Sequence, residues 1–148
     1  MNQKERAELL SGIMREMLQK IGADDFFGQE LEEIIAFRTI LTEETDRGCA
    51  LMSSSLLEHR LGQLLKSYIV DDKKIHKELF EGNGPFTTFS SRINTAFALG
   101  LISKTMMHDL NILRKIRNEF AHNPTNINFK TNRIADQIMD MQKKEIDK

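Results

Sequence analysis

The sequence contains little cysteine, proline or tryptophan: its 148 residues include one cysteine, two prolines and no tryptophan. A single thiol excludes an internal disulfide and a multi-thiolate metal site. Cys49, in an apolar stretch after Gly48, is expected to be a small buried hydrophobe without a chemical role. No apolar run approaches the roughly 18 residues needed to cross a bilayer, and the polar N-terminus lacks the apolar core of a secretory signal. We therefore expect a cytoplasmic protein with no membrane segment.

The sequence motifs of the common enzyme classes are absent as well. There is no phosphate-binding P-loop, no G-x-G-x-x-G, no nucleophile elbow and no H-E-x-x-H zinc motif. His59, His76 and His108 lie on separate predicted helices and have no Cys, Asp or Glu at metal-ligand spacing. We expect no cofactor and no metal ion.

Acidic and basic residues are separated along the chain, although the net charge is only −1. Residues 1–46 carry five basic and eleven acidic side chains, whereas residues 103–133 carry six basic and two acidic ones. Because Lys and Arg supply most of the non-specific affinity for DNA, an acidic chain is a poor general DNA binder. The basic segment could hold one phosphate or a short strand, so RNA remains a possible partner. The acidic segment could form a docking face for a protein partner.

Apolar residues recur at three- and four-residue steps along most of the chain, which predicts amphipathic helices. These helices are expected at about residues 3–21, 25–41, 46–70, 73–80, 91–99, 104–122 and 133–145. Residues 86–89 form the only cluster with strand character. The predicted fold class is all-α: one domain over residues 1–148, built as a bundle of six to seven helices. It comprises acidic N-terminal helices (1–45), a central core (46–123) and a C-terminal helix (124–148).

Capping residues predict where several of these helices begin and end. Ser90 or Ser91 can cap one helix, which Gly100 stops, and Ser103 can cap the next. That helix should end near residue 122, because the residue before Pro124 is pushed out of the α conformation. Its apolar stripe is expected to be Met106, Leu110, Leu113, Ile116 and Phe120, and that of the long helix from residue 46 to be Leu51, Leu57, Leu61, Leu64, Leu65 and Tyr68.

The remaining candidate motif lies in the basic segment, at residues 113–123 (LRKIRNEFAHN). Arg117 is followed by Asn118 and then by His122, near the end of a helix. This R-x-x-x-x-H pattern resembles that of the HEPN superfamily of helical domains, in which the motif faces a dimer partner. In its RNase members the pattern forms a metal-independent site that cleaves RNA. The resemblance therefore implies that Arg117 and His122 are catalytic, with Asn118 as the polar residue beside the arginine.

A second resemblance extends over residues 46–123. The segments that carry it are DRGCAL at 46–51, LLE at 56–58, LLK at 64–66, FSSRI at 89–93, ALGL at 98–101 and IRNEFAH at 116–122. They are similar to the bacterial mannitol operon repressor family, which implies a helical regulator of mannitol uptake genes. The chain lacks a recognisable helix-turn-helix with a basic recognition face, so sequence-specific DNA binding is not expected.

Helix geometry predicts that Arg117 and His122 point in different directions. At 100° per residue, Arg117 lies about 55° from the centre of its helix's apolar stripe, so it should be partly buried and paired with a carboxylate. Glu58, among apolar neighbours on the long helix, is the expected partner. His122 lies about 140° around the axis from Arg117. Both can contact one phosphate only if the last turn swings at Pro124 or a dimer partner supplies one of them.

Three interpretations of the function therefore remain, the weakest of which is a conventional DNA-binding repressor. In the first, Glu58 and Arg117 form a structural ion pair, and the chain is a regulator of sugar-alcohol uptake genes. It would act through a protein partner or as a homodimer, without reading DNA bases. In the second, Arg117, Asn118 and His122 form the site of a metal-independent endoribonuclease or toxin-like effector. We favour the first and leave enzymatic activity open.

Overall fold

The computed structural model describes residues 25–146 without a break, together with Asn2, Glu5, Glu8, Leu9, Gly12, Ile13, Glu16 and Met17. The chain divides into two compact units, residues 1–49 and residues 50–148. The helix predicted at 3–21 falls largely outside the described residues, and its described members from Glu5 to Met17 are helical.

Residues 25–146 contain six helices, which we number in chain order. They are α1 (Asp25–Glu43), α2 (Asp46–Ser67), α3 (Lys73–Phe80), α4 (Phe89–Ala98), α5 (Lys104–His122) and α6 (Asn132–Ile146). No strand occurs in this range, and residues 86–88 form turns and bends before α4. The predicted all-α fold is therefore confirmed. None of the helices in the described part of the chain is long and apolar enough to cross a membrane.

In the first unit, α1 leaves part of its apolar surface exposed. Ile34 and Ile40 expose 56% and 49% of their surface. A two-residue break separates α1 from α2, and there the Gly48 N–H donates to Thr45 Oγ1 at 3.0 Å. A hydroxyl that accepts an N–H three residues on is the arrangement of a helix N-cap. Thr45 therefore starts α2 at Asp46.

The ends of α4 and α5 follow from their capping residues. Gly100 comes just after α4 with a φ of 72°, the left-handed conformation that commonly ends a helix. Ser103 caps α5, because its hydroxyl accepts the Met106 N–H at 3.1 Å. At its other end α5 stops at His122, before Pro124. These three boundaries were predicted from the sequence and are confirmed.

The start of α4 lies earlier than the sequence predicted. Thr88 is the N-cap, because its hydroxyl accepts the Ser91 N–H at 3.1 Å. The predicted cap at Ser90 or Ser91 is therefore wrong, and the helix begins at Phe89. Threonine and serine both cap helices, so a run with hydroxyls at several positions does not by itself identify the capping residue.

A first apolar cluster joins α2, α3, α4 and the start of α5. Its buried members are Leu61, Leu65, Phe80, Phe89, Ile93, Ala96, Ile102 and Leu110. The loop between α3 and α4 closes over this cluster, because Phe86 packs against it with its ring 5.4 Å from that of Phe80. Burial of this many apolar side chains is the main force that holds these elements together.

A second apolar cluster lies between the start of α2, the C-terminal half of α5, and α6. Its buried members are Ala50, Ile112, Ile116, Phe120 and Ile134. Ile127 and Phe129, in the loop before α6, pack against it. The rings of Phe120 and Phe129 meet edge to face, with centroids 5.5 Å apart, a favoured geometry for aromatic pairs. The end of α5, where the candidate motif lies, therefore rests on its own core.

The buried face of α2 differs from the predicted one. Leu57 and Tyr68 were expected in the core, but 37% and 67% of their surfaces are exposed. The buried residues of this helix are Ala50, Ser54, Leu61, Gly62 and Leu65. Three of these five residues, Ala50, Ser54 and Gly62, are small. This face is therefore buried by the close approach of neighbouring elements as well as by the packing of large apolar side chains. A pattern of large apolar residues does not reveal such a face.

Arg92 of α4 connects three elements beside the first cluster. Its Nε donates to the Phe86 carbonyl at 2.7 Å, and its Nη1 donates to the Glu58 carbonyl of α2 at 3.0 Å. The guanidinium also lies 5.8 Å from the centre of the Phe80 ring. Gly62 leaves room for it, since a Cβ at that position would lie 3.1 Å from Arg92 Nη1. Arg92 therefore ties α4 and the preceding loop to α2.

Candidate functional site at the end of α5

The candidate motif occupies the last turns of α5, which stay regular to the end of the helix. The Asn123 N–H donates to the Glu119 carbonyl at 3.0 Å, as an intact last turn requires. Asn123 Oδ1 then accepts the Thr125 N–H at 3.0 Å, which fixes the exit from the helix as an Asx turn. Because α5 does not unwind before Pro124, the offset of about 140° between Arg117 and His122 holds within one chain.

Arg117 lies on the flank of α5 that contacts α2. Its Nη2 is 3.8 Å from Oε2 of Glu58, the carboxylate that helix geometry pointed to. The two side chains are 31% and 26% exposed. Because the two charged atoms are far apart and solvent screens them, the ion pair adds little to the stability of the fold. Its main effect is to orient α5 on α2.

Asn118 and His122 lie one helical turn apart on a different face of α5. Together with Glu119, Asn123 and Pro124 they line an open groove of about 440 Å³. Arg117 does not line this groove. The structure thus brings two of the three candidate catalytic residues together and leaves the third beside Glu58. The ribonuclease interpretation would need a second copy to place an arginine and a histidine on one phosphate.

The groove contains both engaged and free polar groups. The Glu119 carboxylate forms an ion pair with Arg133 of α6, with Nη2 and Oε1 2.8 Å apart. Asn123 is held by Thr125, whose hydroxyl donates to its Oδ1 at 2.6 Å. The side chains of Asn118 and His122, in contrast, make no hydrogen bond within residues 25–146. They are the groups with which the groove can bind a ligand.

Two of the three arginines of the basic segment pair with carboxylates, and the third, Arg114, is half-buried beside an amide oxygen. Arg114 Nη2 donates to Asn111 Oδ1 at 3.4 Å, and Arg117 and Arg133 have the carboxylate partners described above. The cations of residues 103–133 that are exposed and have no acidic partner in the described range are Lys104, Lys115 and Lys130. Three separate lysines form a weak electrostatic surface for a nucleic acid.

Contacts between α5 and α6 were not found by sequence reasoning. His108 Nδ1 lies 3.2 Å from Asp109 Oδ1, and its Nε2 lies 3.3 Å from Asp140 Oδ2 of α6. The neighbouring Asp109 was visible in the sequence, but the contact with Asp140 depends on the tertiary fold. The same holds for the pair between Glu119 and Arg133, which spans the loop between the two helices.

Cys49 lies beside two carboxylates at the start of α2. Burial raises the pKa of its thiol, and so do the nearby Asp46 and Glu44. A raised pKa leaves less thiolate at neutral pH, and the thiolate is the reactive form. The structure therefore gives Cys49 no feature of a nucleophile.

Replacing Glu58 with glutamine is expected to change the free energy of unfolding by less than about 1 kcal/mol, because the pair with Arg117 is long and partly exposed. Urea unfolding followed by circular dichroism measures this change. Glu78→Gln is the matched control, since that carboxylate forms a more exposed pair, 3.9 Å from Lys74. A loss above about 3 kcal/mol for Glu58→Gln would mean that Arg117 behaves as a buried charge whose partner has been removed.

These observations define an all-α protein with a polar groove at the end of one helix. A model of the mannitol repressor family matches residues 33–146, more than three quarters of the 148-residue chain. The chain therefore belongs to the mannitol repressor family, and its role is that of a regulator like the mannitol operon repressor. The match begins within α1 and reaches the end of α6, beyond the residues 46–123 that carried the sequence resemblance. No curated protein and no solved structure matches the chain.

Proposed function

We propose that this chain controls the genes for sugar-alcohol uptake through a protein partner, without reading DNA bases itself. The observation that carries the proposal is the match of the mannitol repressor family to residues 33–146. Family membership supports the regulatory role. The mode of action is argued from the distribution of charge.

The charges that a DNA-binding surface needs are scarce in this chain. Phosphate contacts by Lys and Arg supply most of the affinity of a repressor for DNA. In residues 103–133, Arg117 and Arg133 pair with carboxylates and Arg114 is half-buried, so three exposed lysines remain, namely Lys104, Lys115 and Lys130. The chain as a whole has a net charge of −1. These features support a partner that is a protein, and the acidic segment at residues 1–46 suits a basic protein surface.

Expression of the mannitol uptake genes in the native host tests the proposal. Deleting the gene for this chain is expected to raise their transcripts, and restoring the chain is expected to lower them again. The triple variant Lys104→Gln, Lys115→Gln, Lys130→Gln should repress like the wild type, because no phosphate contact is lost. The matched control changes Lys73, Lys74 and Lys77 of α3, which are also exposed. Unchanged transcripts in the deletion strain would contradict the regulatory role.

A binding experiment with purified chain tests the mode of action separately. The chain alone is expected to leave a labelled operator fragment unshifted at physiological salt. A specific shift that weakens as salt rises, and that the α5 triple variant loses but the α3 control keeps, would show direct phosphate contacts. That result would show that the chain acts by contacting DNA directly and not through a protein partner.

The proposed working form is a homodimer. Exposed apolar side chains support it, among them Phe97, Leu99 and Met106, which are 38%, 56% and 51% exposed. These residues lie close in sequence, at the end of α4 and the start of α5, and a contiguous apolar patch there would suit an interface. Sedimentation equilibrium decides the question, since a monomer has a mass of 17.1 kDa and a dimer twice that. A constant monomer mass at rising concentration would contradict the homodimer.

A further inference from the structure

The groove at the end of α5 has a chemistry that selects among ligands. It is an open groove of about 440 Å³, which can contact a small molecule along one side. Its unengaged side chains are the Asn118 carboxamide and the His122 imidazole. A carboxamide donates and accepts hydrogen bonds, and so does a neutral imidazole. A ligand that fits both must offer groups that donate and accept as well.

The charges around the groove disfavour an anion. The Glu119 carboxylate lines it, and the nearby Arg133 is already paired with that carboxylate at 2.8 Å. Arg117 points its guanidinium toward Glu58 and does not line the groove. The ion pair is neutral overall and no lysine or arginine among residues 25–146 lines the groove, so a phosphate group would meet the negative end of the α5 dipole with no guanidinium to offset it. A carboxylate beside carboxamides is, however, a good acceptor for hydroxyl groups.

The spacing of the free groups favours a ligand with several hydroxyls. Asn118 and His122 are one turn apart, which corresponds to a rise of about 6 Å along the helix. Side chains one turn apart are neighbours on the helix surface, so hydroxyls on adjacent carbons of one ligand can contact both at once. The ring of Pro124 adds an apolar surface for the carbon–hydrogen side of such a chain.

We propose that this groove binds a neutral linear polyol, with Asn118 and His122 as its main hydrogen-bonding residues. The inference deepens the proposed function and rests on it in one respect, namely that occupancy of the groove would report sugar-alcohol supply to the regulator. The binding itself is independent of any gene. Because the groove is open and the ligand small, the dissociation constant is expected to be on the order of 1 mM.

Titration of the ¹⁵N-labelled full chain with D-mannitol, followed by amide chemical shifts, tests the inference. The shifts that move with saturation should belong to residues 118–124. 1,6-Hexanediol, which has the same carbon chain and two hydroxyls, should leave them in place. Mannitol 1-phosphate and inorganic phosphate should bind more weakly than mannitol. Shifts elsewhere, no saturation at about ten times the expected constant, or tighter binding of either phosphate compound would each overturn the proposal.

Variants identify the residues responsible. Asn118→Ala and His122→Ala should each weaken mannitol binding by about fivefold, the effect of losing one hydrogen bond. The matched controls are Asn94→Ala on α4 and His59→Ala on α2, which remove the same groups from exposed helical positions. Equal affinity in all four variants would overturn the assignment. Alanine favours the helix at position 118, so loss of folding does not confuse the result.

The outcome is separable from that of the proposed function. If the chain represses the uptake genes but does not bind mannitol, the proposed ligand site is rejected and the regulatory role stands. If the chain binds mannitol but deletion of its gene changes no transcript, the proposed ligand site stands and the regulatory role is rejected.

Discussion

Phe120→Ala is expected to lower the free energy of unfolding by about 3–5 kcal/mol, because it removes the largest side chain of the second cluster. Phe120 has no exposed surface, and its ring packs edge to face against Phe129 at 5.5 Å. The cavity left behind adds to the lost burial, since a packed core relaxes only partly. For a domain with a total stability of about 5–15 kcal/mol, this is a large fraction.

Thermal unfolding by differential scanning calorimetry measures the loss, and the midpoint should fall by roughly 10 °C. Phe97→Ala is the matched control, because that ring is 38% exposed. Its cost should be less than half as large. Equal losses in the two variants would mean that the second cluster is not a packed core.

Arg92→Ala is the second substitution with a large expected effect, a loss of about 3 kcal/mol. It removes two hydrogen bonds from a charged donor, to the carbonyls of Phe86 and Glu58, and each such bond contributes roughly 1.5–3 kcal/mol. The lower end applies here because Arg92 is not fully buried. Urea unfolding measures the loss. Arg60→Ala is the matched control, since its hydrogen bond to Gln63 is exposed.

A double-mutant cycle with Gly62 separates the role of Arg92 from general packing. A methyl group at Gly62 would lie 3.1 Å from Arg92 Nη1, so Gly62→Ala crowds the guanidinium in the wild type. In the Arg92→Ala background the crowding is gone, and alanine should stabilise α2 by about 1 kcal/mol through its helix propensity. Additive effects of the two substitutions would contradict the contact between them.

The helices and most of their ends could be predicted because the signals are local. Ser103, Gly100 and Pro124 each act on residues within one turn, and the structure places boundaries where they require. The proximity of Arg117 to Glu58 could also be predicted, because helix periodicity shows which residues flank an apolar stripe. These features need no knowledge of the tertiary fold.

What could not be predicted depends on residues that are distant in sequence. The exposure of Tyr68 and Met106, at 67% and 51%, reflects the direction in which neighbouring helices approach. Arg92 stood inside a sequence motif, but its carbonyl partners lie on other elements. The groove itself needed the exit geometry of Asn123, which an Asx turn sets and which no periodicity describes.

The two apolar clusters of the second unit give its helices unequal resistance to local opening. The helices α2 and α5 contribute to both clusters, whereas α6 contributes to the second alone. Detaching α6 therefore uncovers Ala50, Ile112 and Phe120 while Leu65 and Ile93 remain packed in the other cluster. Such partial opening costs less free energy than global unfolding, and amide hydrogens in α6 would exchange with solvent sooner than those in α2 and α5, which the first cluster still holds. Because Glu119, which lines the groove, is paired with Arg133 of α6, each opening event also leaves that carboxylate without its partner.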